Sequence, residues 1–373
     1  MRILQVVTLL SPDASYGGPV RVAVNQSKEL RDRGHEVVIA AAARGYDQLP
    51  TGIDGIPVQA FPAKTALPGI GFAGTRGAGM SRWIADNAKH FDVAHIHLAR
   101  DFVTLPAART CLKRSVPIVA QPHGMIDHSS RLLAKPLDLF WTAPVLRSAS
   151  TVLFLTSRER DDLRGVAQPL PNLRELSNGV PQAVPRDTTN MQEPHEVLFL
   201  ARLHPRKRPA IFVEMARRLV ERGVAADFAI VGPDEGTLSE VNALITRYGL
   251  QSRMRYEGAL APDLAADRMR RAAIYVLPSI DEPFPMSVLE AMSVGVPVVV
   301  TDTCGLASLI EETGSGSVVG SDLDSLTDAV HRLLEYPHLL ATAGRNAYDT
   351  ATDRLGMSLV VDALEDIYKR AVE

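Results

Sequence analysis

Apolar residues in the first half of the chain fall in short continuous runs: RILQVVTLL (2–10), EVVIAAA (36–42), DVAHIHL (92–98), PIVAQ (117–121) and TVLFL (151–155). Between these runs apolar positions recur at helical spacing, as in VRVAVNQSKELRDRG, where Gly34 stands just past the last turn as a stop. The second half repeats the plan with EVLFLA (196–201), ADFAIVG (226–232), MRYEG (254–258), AIYVLP (273–278) and PVVVTD (297–302). Strands apolar throughout, alternating with amphipathic helices, predict parallel sheets covered on both faces. Two such series predict two Rossmann-like domains. PQAVPRDTTNMQEPHE (181–196) is polar, proline-rich and aperiodic, and reads as the linker. After about residue 320 the strand pattern stops and helices continue. The last of them, VVDALEDIYKRAVE (360–373), aligns Val361, Leu364, Ile367 and Tyr368 on one stripe that must cover something.

Length agrees with this division, since 373 residues exceed one ordinary core. A hydrophobic content of 46% supplies two cores and argues against disorder. With a formal net charge of −3 and interspersed signs, the chain lacks the basic field of a nucleic-acid binder, so no nucleic-acid partner is expected. Cys111 and Cys304 follow no metal spacing and fit a reducing compartment. MRILQVVTLLSPDASYGG has no small-residue cleavage site and reads as a buried first strand rather than a signal peptide. No run approaches the ~20 apolar residues needed to span a bilayer. A cytoplasmic protein is expected.

In open parallel sheets, ligands bind beyond the carboxyl ends of the strands, so the chemistry should lie in the loops there. Five such loops stand out. In SPDASYGGPVRVAV (11–24), Gly17 and Gly18 sit between the first strand and its helix, where backbone N–H groups can approach an anion. The spacing is not GxGxxG, which disfavours a dinucleotide dehydrogenase; a tight turn is the plainer alternative. QPHGMIDHSS (121–130) puts His123 at a strand's carboxyl end, although a lone histidine is more often structural; His128 has no such positional argument. LARLHPRKRPA (200–210) gathers Arg202, Arg206, Lys207 and Arg208, which read either as a solvated basic turn or as a diphosphate site. VGPDEG (231–236) places Gly232 at another strand end, as a turn or as close backbone approach to a base.

The fifth loop is EPFPMSVLE (282–290), with Glu282 before a helix and Glu290 about a turn inside it. Pro285 suits the first helical position, and the amides of Met286, Ser287 and Val288 would then form an anion site. Two carboxylates beside a diphosphate would repel it, so they should bind hydroxyls: a sugar on one side and a ribose on the other. Taken together the loops imply a nucleotide-sugar. SDLD (321–324) reads as a helix N-cap rather than a metal site, and no metal is expected.

The order GGP near the N-terminus, HG after a mid-domain strand, NGV (178–180), Arg202 and Lys207 as R-x4-K, and E-x7-E followed by AMSVGVPVV resembles the retaining glycosyltransferases of family 4. The match spans nearly the whole chain. Within that family, SYGGPVR, RGHEV, QPHGM and LARLHPRK look most like bacterial enzymes building exopolysaccharides and envelope glycans. The resemblance implies a GT-B fold, α/β, with two Rossmann-like domains whose parallel sheets face an interdomain cleft. Residues 1–183 would form the acceptor-side domain and 184–355 the donor-side domain, with 356–373 crossing back as a helix onto the first. It also implies roles: Glu290 on the ribose, Glu282 and His123 on the donor sugar, Arg202 and Lys207 on the leaving diphosphate, and Gly17 and Gly18 approaching donor phosphates and acceptor. This chain departs from the family at EPFP, where EPFG is usual, and at Pro181, where an acid commonly follows NGV.

The expected activity is therefore metal-independent, retaining transfer of a hexose-type sugar from a nucleoside diphosphate sugar, UDP- or GDP-linked, to a glycan or lipid-linked acceptor, with no cofactor. A nucleotide-sugar epimerase of the same fold and a non-catalytic nucleotide-sugar-binding partner are the competing readings. RLLAKPLDLFWTAPVLRSA (131–149) mixes apolar and basic residues and could lie on the inner face of the plasma membrane, with core packing as its alternative.

Overall fold

The computed structural model describes residues 1–12, 17–65, 71–127, 134–187 and 194–373. Its contacts divide the chain into two compact units, Met1–Gly179 together with Met357–Glu373, and Val180–Gly356.

The first unit is built on strands β1 (Arg2–Leu10), β2 (Glu36–Ala43), β3 (Gly52–Ile53), β4 (Ile56–Thr65), β5 (Thr75–Gly77), β6 (Val93–Ile96), β7 (Ile118–Ala120), β8 (Thr151–Phe154) and β9 (Leu173–Glu175). They run in the order β3-β4-β2-β1-β6-β7-β8-β9, with β5 on β4. All pairs are parallel except β3–β4 and β4–β5. Ile3, Leu4, Val6 and Val7 of β1 are fully buried, which explains why this central strand carries no polar face. β4 has no counterpart among the expected strands. It alternates buried and exposed residues and contains Pro57 and Pro62, as a strand flanked by short antiparallel partners allows.

The final helix, Met357–Val372, belongs to this unit. The predicted stripe is buried, and Met357 and Val360 extend it over Ile3, Leu30, Val37 and Val93. Arg33 clamps its polar edge, donating to Asp362 at 2.5 Å and to the Ser358 carbonyl at 2.9 Å.

The second unit holds β10 (His195–Leu200), β11 (Ala226–Val231), β12 (Met254–Tyr256), β13 (Ile274–Leu277), β14 (Val298–Thr301) and β15 (Gly316–Val319) in the order β12-β11-β10-β13-β14-β15. Every pair is parallel, so all the carboxyl ends lie along one edge. β15 was not among the expected strands: GSVV is short and only half-buried. The loops following β10, β11 and β13 therefore emerge side by side, and they carry the charged and glycine-bearing motifs.

Candidate functional site

In the second unit, the loop after β13 leads to the helix Met286–Ser293. Pro285 is not its first residue but its N-cap, with φ −77° and ψ 110°. The proline ring fixes φ but leaves ψ free to be extended, so the expectation of a first helical position is corrected. The Pro285 carbonyl consequently accepts from the Val288 N–H at 3.1 Å. Val288 is thereby used inside the first turn and its side chain is fully buried, which removes it from the expected anion site. Met286 and Ser287 head the helix, where N–H groups have no carbonyl four residues back. The Ser287 hydroxyl is hydrogen-bonded to Tyr275 Oη at 2.7 Å, and Tyr275 also reaches the Leu200 carbonyl at 2.9 Å. This leaves the amide of Ser287 as its group for an anion.

Glu282 is 7% exposed. Burying a carboxylate requires a partner, and Lys207 Nζ supplies one at 2.5 Å, with Arg206 Nη2 at 3.4 Å. The backbone fixes the same meeting: Ile280 N–H donates to the Arg206 carbonyl at 3.0 Å, and Gly305 N–H to the Glu282 carbonyl at 2.8 Å. Burial lowers the Lys207 pKa, opposed by the charge of Glu282. Glu290 lies half-buried a turn into the helix and has a polar partner of its own.

The other basic residues of the loop after β10 are not a uniform cationic patch. Arg202 Nη1 donates to both carboxylate oxygens of Glu235, at 2.8 and 2.9 Å. Arg208 turns to the Ser321 carbonyl at 2.8 Å. Gly232, at the end of β11, has φ 144°, and a Cβ there would sit 2.0 Å from the Ala201 carbonyl oxygen. The close approach that requires glycine is thus to the backbone leaving β10. Gly232→Ala is expected to destabilise the protein by about 3 kcal/mol or more, read as a lowered urea midpoint; a midpoint unchanged from wild type would show that the loop gives way easily.

In the first unit, Gly17 and Gly18 open the helix Gly17–Asp32 rather than preceding it. A Cβ on Gly18 would meet no described atom within 4 Å, so packing does not demand a glycine there. His123 follows β7 with φ 56°, a left-handed conformation uncommon for a side-chain-bearing residue. Glu159 holds that turn, accepting from Gly124 N–H at 2.5 Å and Leu155 N–H at 2.7 Å. Burial raises the Glu159 pKa.

His123 also stacks on His97, ring centroids 5.0 Å apart, and His97 on His95 at 4.8 Å. Burial among these rings lowers His95 and His123 to about 3 and His97 well below its ordinary value. For a base with a depressed folded pKa, the stabilisation is full above the unfolded value of about 6.5 and is lost as pH falls through the window toward 3. Keeping His95 neutral should therefore cost about 2 kcal/mol of stability at pH 5. Urea midpoints are expected to fall between pH 6.5 and 4, less so in His95→Asn. Identical profiles for the two proteins would contradict this.

Of 131–149, Arg131, Leu132 and Leu133 lie outside the described residues. In the remainder, Leu137 and Trp141 pack against the core, and Arg109 lies 4.2 Å over the Trp141 ring. Leu139 and Phe140 are exposed. No helix among the described residues is long and apolar enough to cross a membrane.

Sequence reasoning singled out Glu282, Lys207 and His123 but not the side chains that partner or hold these loops, Glu235, Glu159, His97 and Tyr275. For His97 a signal existed, because His95 and His97 are two apart at the end of a strand and so share a face. Glu235 stood within VGPDEG as a carboxylate after a strand end.

Matched along its length by two glycosyltransferase family models, the chain has the GT-B fold of two parallel-sheet units and belongs to the family 4 type of glycosyltransferase. Residues 17–179 match the glycosyl transferase 4-like domain and residues 183–350 match glycosyl transferases group 1. Among curated relatives, the alpha-D-kanosaminyltransferase of Streptomyces kanamyceticus is 28% identical over 336 residues, covering 83% of this chain and 86% of the relative. D-inositol 3-phosphate glycosyltransferase 2 of Catenulispora acidiphila is 28% identical over 394 residues, covering 96% and 91%. The solved structure of Anabaena HepE with UDP and glucose shares the fold with a TM-score of 0.77 at 19% identity, covering 98% of this chain and 99% of that one.

Proposed function

We propose that this glycosyltransferase moves a hexose-type sugar from a nucleoside diphosphate sugar to an acceptor hydroxyl with retained anomeric configuration and without a metal, in bacterial cell-surface polysaccharide or glycolipid synthesis. The observation that carries the reading is Glu282, buried against Lys207 and Arg206 beside the start of the helix Met286–Ser293. Two cationic groups and one carboxylate able to bind hydroxyls meet there, as a sugar phosphate requires.

In this reading Glu282 binds donor hydroxyls near the reacting carbon, Glu290 binds the ribose, and His123 contacts the donor sugar. Lys207, Arg202 and the amides of Met286 and Ser287 take up charge as the diphosphate leaves, most strongly in the transition state, where binding lowers the barrier. Arg202 must share Glu235 with the diphosphate to do so. The bond from the anomeric carbon to the phosphate oxygen breaks and a bond to the acceptor oxygen forms on the same face. The acceptor proton passes to the departing diphosphate. The first unit, with Gly17 and Gly18, would receive the acceptor, and the exposed Leu139 and Phe140 would give a cytoplasmic enzyme peripheral contact with the inner face of the plasma membrane. The UDP held by HepE favours a UDP-sugar over a GDP-sugar.

Calorimetric titration of UDP, GDP, ADP and TDP tests the site. Selective binding of UDP is expected, weakened on the order of tenfold or more in Glu290→Ala, the loss of hydrogen bonds to a charged group. Failure of all four nucleotides to bind at millimolar concentration would overturn the reading.

A further inference from the structure

The three stacked imidazoles of the first unit carry a directed chain of hydrogen bonds. His97 Nε2 lies 2.8 Å from Gln5 Oε1, and His97 Nδ1 lies 2.7 Å from His123 Nε2. Gln5 and His97 are fully buried, so no water competes for these atoms. Gln5 turns Oε1, not Nε2, toward His97, and its Nε2 makes no hydrogen bond. The carbonyl end then faces His97 and can only accept. His97 is accordingly protonated on Nε2 and carries a lone pair on Nδ1. A neutral imidazole has one donor and one acceptor, so His123 Nε2, facing that lone pair, must be the donor. The depressed pKa values of all three rings keep the chain neutral, so neither nitrogen pair is doubly protonated.

We propose that His97 is a positioning residue that locks His123 in its Nε2-protonated tautomer, so that His123 presents its Nδ1 lone pair as an acceptor for a sugar hydroxyl. This rests on the reading of His123 as a residue that touches the donor sugar. Two further contacts fit a part that must be held in one arrangement. Tyr368 Oη is hydrogen-bonded to His95 Nδ1 at 2.6 Å, fixing the far end of the stack. Glu159 fixes the left-handed turn at His123 and Gly124 from the other side. An acceptor nitrogen selects a hydroxyl over a phosphate oxygen, which has no proton to give at neutral pH. The substrate class assigned to His123 is therefore the hydroxyl face of the donor sugar and not its diphosphate.

The test is 15N spectroscopy of the full chain with labelled histidine, which distinguishes protonated from bare ring nitrogens; the chain has ten histidines, and His123→Gln assigns the signal. A protonated Nε2 and bare Nδ1 are expected for His123. His97→Leu removes the acceptor and should give a tautomer mixture, whereas His97→Asn, which can place an oxygen near the same point, should retain the wild-type signal. Gln5→Leu frees the tautomer of His97 from the other end and serves if His97→Leu does not fold. In the variants that lose the lock, kcat should fall on the order of 10- to 100-fold, as when an outer partner orienting a ligand histidine is removed. UDP affinity should be unchanged. A bare Nε2 on wild-type His123, or a tautomer unmoved in both leucine variants, would overturn the lock irrespective of substrate. A shifted tautomer with unaltered kcat would leave the hydrogen-bond chain intact and overturn the role of His123 in catalysis, while nucleotide titration reports separately on the donor site.

Discussion

Lys207→Gln is expected to lower the transfer rate on the order of 10²-fold, the loss seen when one preorganised group facing developing charge is removed. The charge is what matters, because glutamine keeps a donor of similar reach. Lys207 is 9% exposed and its ammonium sits 2.5 Å from Glu282, so it neutralises a buried carboxylate. Breaking such a pair outright costs about 3–5 kcal/mol because the surviving charge is stranded. Here the glutamine amide and Arg206, 3.4 Å from the same oxygen, keep Glu282 partnered, so the fold should hold with a loss below about 2 kcal/mol. Steady-state kinetics beside a melting curve separates the two effects. A kcat within threefold of wild type, in a protein that melts normally, would remove Lys207 from the chemistry.

The alternation of apolar runs with helical patterns made the two parallel sheets legible, since a strand covered on both faces has no polar residues to obscure it. β4 and β15 escaped for the opposite reason: one carries two prolines and a solvent face, the other four half-buried residues beginning with glycine. At the site, Glu282 and Lys207 could be picked out because each belongs to a loop directly after a strand. Their 2.5 Å contact could not, because they are 75 residues apart and meet only through the neighbouring placement of β10 and β13. The same holds for Arg202 and Glu235, brought together by the pairing of β10 with β11. Local sequence marked which groups were charged; it had no means of marking which charges cancel. Pro285 shows a smaller limit. Its ring constrains φ alone, and the one-residue difference between N-cap and first helical position is decided by ψ, which removed Val288 from the amides available to an anion.

Ending the chain after Gly356 is expected to unfold the first unit. The helix Met357–Val372 buries Met357, Val360, Val361, Leu364, Ile367 and Tyr368 against the sheet and the helix Gly17–Asp32. At about 1.5–3 kcal/mol per fully buried large side chain, these residues supply about 10 kcal/mol, comparable to the entire stability of a typical domain. The loss would also uncover Ile3, Leu30, Val37 and Val93, which share one buried cluster with the helix. Arg33 and His35 would lose Asp362 and Glu365, and Tyr368 would be taken from buried His95. The second unit, with its own core from Val180 to Leu355, has no such dependence. Pulsed proteolysis followed by mass spectrometry should find fragments of residues 1–179 degraded while a fragment spanning residues 195–355 survives. Should both parts resist equally, the last helix would be an accessory cover rather than part of the first unit's core.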